Sequence, residues 1–171
     1  MVSAKKIILS GVFTALLIGG QLVFSAVAGI EIVTVLLLTF AYKYGIVQSM
    51  FVANAFSLLR CFIFGFMPNV LVLYLVYYNI FAITFGGIGN AFKHQYAIKK
   101  HAIVIIIAVI MTALFTLLDN VITPLMYGFN ENAFKAYFVA SLYTVVPQVI
   151  CTFVTTLSIF PVLINVLKKV D

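Results

Sequence analysis

The residues able to hold a ligand are few, and they fall near the ends of apolar runs. Glu31 and Thr34 open one run, GIEIVTVLLLTFAY at 29–42; Asn54, Ser57 and Arg60 lie on the next; Asn69, Tyr74, Tyr77 and Tyr78 begin a third. Asp119, Asn120 and Thr123 close a later run, and Tyr143 and Gln148 sit in the last. Carboxylates and amides fix a ligand's orientation, a guanidinium suits a carboxylate or phosphate, and aromatic faces cover apolar area, so this set could line a small-molecule pocket. Taken singly, each has an ordinary alternative: tyrosines gather at membrane interfaces, and Asn or Thr bonds to a neighbouring helix. We expect a pocket built from Glu31, Asn54, Arg60, Tyr74, Tyr77, Tyr78, Asp119, Asn120 and Gln148.

Catalytic signatures are missing. No GxxxxGK[ST] phosphate loop, HExxH or GxSxG occurs, so ATP hydrolysis by that loop and the familiar hydrolase chemistries are not expected. Gly86, Gly87 and Gly89 in FGGIGN follow a helical apolar run rather than a strand, which argues against a dinucleotide site. His94 and His101 flank Lys99 and Lys100 and read as an ordinary solvated loop rather than a zinc site. Cys61 and Cys151 belong to no CxxC and read as small apolar side chains. No cofactor or metal is expected, and the chain is read as a non-enzyme.

These side chains must be positioned by a chain that is 65% hydrophobic and 8% charged, with 17 phenylalanines and no tryptophan. Ordinary globular domains carry about 25% charged residues, so too little polar surface exists here to cover a water-facing globule. A bilayer core takes roughly 20 apolar residues per helix. Six segments, near 7–27, 30–42, 46–64, 69–91, 102–126 and 135–167, nearly exhaust the 171 residues. The expected fold is all-α: one membrane domain over 1–171, six transmembrane helices in a compact bundle, without an internal repeat. The last segment is long, and Pro147 and Pro161 are candidate kinks.

Charge orients the bundle. Lys5, Lys6, Lys43, Lys93, Lys99, Lys100, Lys168 and Lys169 all fall on one side of a six-span chain, which the positive-inside rule makes cytoplasmic together with both termini. Glu31, Asp119 and Glu131 fall on the other side, and charges near membrane depth usually mark a site. The net charge of +6 then serves lipid headgroups; basic residues scattered without interleaved aromatics do not suit nucleic acid. Lys5 and Lys6 before an apolar stretch, with Ala26-Val27-Ala28 after it, imitate a secretory signal, but the run exceeds the usual core of about 7–15 residues, so a retained helix is expected.

Within the first helix, GVFTALLIGG places Gly11, Ala15 and Gly19 on one face at four-residue spacing. Small side chains let helices approach closely in lipid, where little hydrophobic force drives association. The face suits either another helix of this chain or a partner protein.

The order of these features resembles the S components, the substrate-binding membrane subunits of energy-coupling factor (ECF) transporters. The resemblance rests on the basic N-terminus and the Gly11, Ala15, Gly19 face, on GIEIVTVLLLTFAYKYG at 29–45, on FVANAFSLLRCFIFGF at 51–66, and on six helices within 171 residues. The family's first-helix pattern is usually Ala-x-x-x-Ala; here glycines flank one alanine, which leaves open whether Gly11/Ala15 or Ala15/Gly19 makes the contact. The resemblance implies a subunit of the bacterial plasma membrane that captures a vitamin or related micronutrient from outside. It implies partners too: a coupling membrane subunit and two ATPase subunits, docked through Gly11, Ala15 and Gly19, with the S component rotating in the bilayer to release its ligand inside. A free-standing secondary transporter or channel for a small polar solute is the competing expectation, and a membrane enzyme or assembly factor a more distant one.

Overall fold

The computed structural model describes residues 4–27, 30, 32–94 and 98–169. Six helices follow one another: α1 (Ala4–Phe24), α2 (Val33–Tyr44), α3 (Ile46–Phe64), α4 (Pro68–Ala91), α5 (Ile98–Tyr127) and α6 (Glu131–Lys168). All but α2 are long and apolar enough to cross a membrane. The bundle is therefore all-helical and compatible with a multi-pass membrane protein.

The breaks have local causes. Gly45, at φ +82°, takes the left-handed backbone that turns α2 directly into α3. Gly65, at φ +89°, ends α3, and Pro68 occupies the first turn of α4, where its missing N–H costs nothing. Asn130 caps α6 by accepting from the Ala133 backbone N–H at 2.9 Å, so this helix starts at Glu131, ahead of the expected 135. It then runs for 38 residues with Pro147 and Pro161 inside it.

With 12 residues, α2 reaches only about 18 Å, short of a hydrocarbon core of about 30 Å. Its position explains its composition. It touches all five other helices and buries nine of its residues, among them Leu37, Leu38 and Phe40 with no exposed surface. A helix apolar on every side belongs in a core, and α2 is the core here. The other helices wrap it, burying one stripe each and turning residues such as Phe62, Leu125 and Val23 outward. So much exposed apolar surface suits lipid rather than water.

At the end of the bundle carrying most lysines, Gly86 and Gly89 of FGGIGN have a packing role. A Cβ on Gly89 would lie 2.1 Å from the Tyr42 carbonyl oxygen, and one on Gly86 2.6 Å from the Ile46 nitrogen. The α2–α3 corner therefore rests on bare α4 backbone. The histidines correct the solvated-loop expectation, because α5 begins at Ile98 and carries His101 inside its first turns, against α6. His101 is buried with Nε2 2.9 Å from the Thr156 carbonyl, and His94 places Nδ1 2.6 Å from that of Tyr42. Both tie helix ends together.

Candidate functional site

At the opposite end of the bundle a cavity of about 370 Å³ opens among all six helices, α2 reaching it through Val33. Each wall follows from a short-range rule. Arg60 stands one turn before Phe64, the last residue of α3, on the same face of that helix. On α4, Tyr74, Tyr77, Tyr78, Phe81 and Phe85 recur at three- and four-residue spacing and form a buried aromatic column. Tyr74 and Tyr78, at its upper end, reach the cavity together with Phe115 of α5 and Gln148 of α6. Phe13, Leu17 and Gln21 share the inward face of α1, and Gln21 supplies the wall opposite Arg60.

Tyr74 organises the polar groups. Its ring lies 4.7 Å from the Arg60 Cζ, which also sits 5.2 Å from the Phe64 ring, so the guanidinium has two cation–π contacts. Its hydroxyl accepts from Gln21 Nε2 at 3.0 Å. No hydrogen bond to a described residue satisfies Arg60: its Nε is buried without an acceptor, and the Gln21 Oε1 is buried without a donor. Arg60 is the only charged side chain among the described lining residues. A cavity with aromatic walls, one unneutralised cation and two amides can hold and orient a small polar molecule, but it contains no nucleophile paired with a base.

Of the residues expected at a site, Arg60, Tyr74, Tyr78 and Gln148 come together here. The other described ones make contacts outside this lining. Asn54 exchanges amide hydrogen bonds with Asn79, with Asn79 Nδ2 donating to Asn54 Oδ1 at 2.7 Å, and so staples α3 to α4. Tyr77 packs 4.8 Å from Phe115 below the cavity, within the aromatic column. Asp119 accepts from Thr123 at 2.6 Å and from the Tyr137 hydroxyl, and Thr123 accepts from Asn69 at 3.1 Å, which links α4, α5 and α6. Asn120 is buried and donates to Ser141 at 2.8 Å. Thr34 is buried in the core, the Ser57 hydroxyl bonds back to the Ala53 carbonyl, and Tyr143 points away from the bundle. Glu31 lies outside the described residues.

Gln21, Phe24, Phe64 and Phe115 were missed as lining residues. For Gln21 a signal existed, since it is a lone amide in an apolar helix, four residues beyond Leu17; the glycine face of the same helix drew the reading away from it.

On the outside of α1, Gly11, Ala15 and Gly19 are all exposed, and a Cβ on either glycine would meet nothing within 4 Å. Gly20 is the packing glycine, where a Cβ would lie 2.6 Å from Ile32 Cγ2. The small-residue face is therefore not spent on contacts within the chain. A second groove, of about 490 Å³, runs between α1 and the α2–α3 corner at the lysine-bearing end, past Ile7, Tyr44, Val47 and Phe51. It is the larger of the two, but it gathers fewer polar groups, so the Arg60 cavity is the better ligand site.

Comparison with known protein families, curated proteins and solved structures finds no match to this chain.

Proposed function

We propose that this chain is the substrate-binding membrane subunit of an ECF-type importer. In this reading all six helices lie in the plasma membrane, with the lysine-bearing end and both termini in the cytoplasm and the Arg60 cavity facing outward. A vitamin-like micronutrient enters that cavity from outside, and ATP hydrolysis belongs to two separate subunits that act through a coupling membrane protein.

The observation that carries the reading is the division of labour on α1. Its inward face, Phe13, Leu17 and Gln21, reaches the core and the cavity, while its outward face, Gly11, Ala15 and Gly19, is bare and unoccupied. One helix thus touches ligand space on one side and offers a close-packing surface on the other. In addition, α1 packs mainly on α2 and α3, which leaves it peripheral and open to a partner. Because α2 is short and wholly enclosed, it crosses the membrane only as a plug within the other five, which suits a binding subunit better than an open channel.

The test is reconstitution. Purified chain in liposomes should retain a bound micronutrient yet transport nothing by itself, under an ion gradient or with ATP. Uptake should appear when a coupling subunit and its two ATPases are added. Transport by the chain alone, driven by an ion gradient, would instead establish the secondary-transporter reading.

A further inference from the structure

We infer that the cavity selects a compact monocarboxylate, with the Arg60 guanidinium gripping the carboxylate and the Gln21 amide meeting a polar group on the ligand body. This inference rests on the binding-subunit reading and names the ligand class of the same cavity. Arg60 brings five N–H donors into a site surrounded by lipid-facing helices, and no described residue accepts from any of them. Its Nε is buried without an acceptor and the rest of its N–H groups are open to the cavity, where an anion can accept from them. The two rings beside it, Tyr74 at 4.7 Å and Phe64 at 5.2 Å, attract the cation through their faces and do not replace a hydrogen-bond acceptor. A guanidinium's N–H fork matches a planar, two-oxygen partner, which is the geometry of a carboxylate.

The single cation of the described lining matches a monoanion. Arg60 is the only charged side chain among the described lining residues, and a phosphate monoester carries about −1.5 to −2 at pH 7, more than one guanidinium neutralises. The volume of about 370 Å³ lies near the small end of ligand pockets. The Gln21 amide gives one end to the Tyr74 hydroxyl and leaves the other buried without a partner. That second unmet group lies in the same cavity as Arg60, and one ligand with a polar substituent away from its carboxylate satisfies both.

The test uses matched pairs on the purified full-length chain: nicotinate and nicotinamide, biotin and biotin amide, lipoate and lipoamide, pantothenate and pantothenol, with cationic thiamine as a counter-probe. Thermal shift and native mass spectrometry read binding. At least one acid should bind roughly 10- to 100-fold tighter than its neutral partner, the loss expected when a charge-assisted hydrogen bond is removed. Arg60→Gln should erase that preference, and Arg60→Lys should restore only part of it. The acid-over-amide preference is measured on the unaltered chain, so it stands even if Arg60→Gln fails to fold. Tight binding of an amide or of thiamine, indifferent to Arg60→Gln, overturns the monocarboxylate inference and keeps the binding-subunit reading. Absence of binding by every probe, with no co-purified small molecule released in the mass spectrometer, overturns both.

Discussion

Leucine placed at Gly19 and at Gly20 should have opposite consequences, although the two positions are adjacent. A Cβ at Gly20 would sit 2.6 Å from Ile32 Cγ2 and 3.7 Å from Leu36 Cδ1, so leucine there drives α1 off the start of α2. Overpacking of this kind costs about 1–3 kcal/mol, which for a chain of this size lowers the unfolding temperature by roughly 2–12 °C. At Gly19 nothing lies within 4 Å of the new Cβ, and replacing glycine in a helix gains up to about 1 kcal/mol of propensity. Gly19→Leu should therefore be as stable as the parent and bind ligand normally. It should nevertheless abolish uptake in cells carrying the coupling module, because the isobutyl group stands where the partner helix must approach. Ala15→Leu should behave like Gly19→Leu. The assays are thermal unfolding of the solubilised chain, ligand binding to the isolated subunit, and cellular uptake. If Gly19→Leu loses binding and uptake together, or loses neither, the docking assignment of this face is wrong.

Two further expectations concern packing and polar networks. Gly89→Ala should prevent recovery of a monodisperse protein, because its Cβ would lie 2.1 Å from the Tyr42 carbonyl oxygen, while Gly87→Ala, with nothing within 4 Å, should be tolerated; size-exclusion profiles separate the two. Asp119→Asn places an amide donor against the Thr123 and Tyr137 hydroxyls, so the unfolding temperature should fall while ligand affinity stays within about twofold; a large affinity loss at unchanged stability would show that Asp119 touches ligand.

The helices were legible because their signals are local. Apolar runs of spanning length, Gly45 and Gly65 as breaks, and Pro68 as a start all act within a few residues of themselves, and the observed boundaries follow the expected ones to within four residues. The α6 start was placed late because an asparagine cap at Asn130 is compatible with either a loop or a helix until the Ala133 N–H is found against it. The role of FGGIGN was hidden for a different reason. Glycines in a helix announce a close approach, but what approaches, here the backbone at Tyr42 and Ile46, lies 40 or more residues away in the chain.

For the candidate site, composition alone singled out the useful types of residue and could not sort them. Asn54 and Arg60 lie six residues apart on α3, yet one is paired with Asn79 and the other faces a cavity. Successive residues on a helix are rotated by about 100°, so the number of residues between two positions does not say what each will meet. Asp119 and Arg60, grouped by their shared end of the bundle, belong to separate clusters because α5 turns Asp119 towards Tyr137 of α6.

What the sequence determined alone is the class of molecule and its ingredients: a helical, lipid-compatible chain with one small-residue face and a surplus of polar groups at one end. Hydropathy, helical period and turn chemistry are properties of neighbouring residues, and they survive without knowledge of the partners. Only the tertiary structure decided that α2 is the enclosed core, that Gly20 rather than Gly19 is used for packing, and that Gln21 meets Tyr74 across 53 positions of sequence. Those outcomes depend on how six helices rotate and tilt against one another, and that choice is settled by the fit of all their faces at once.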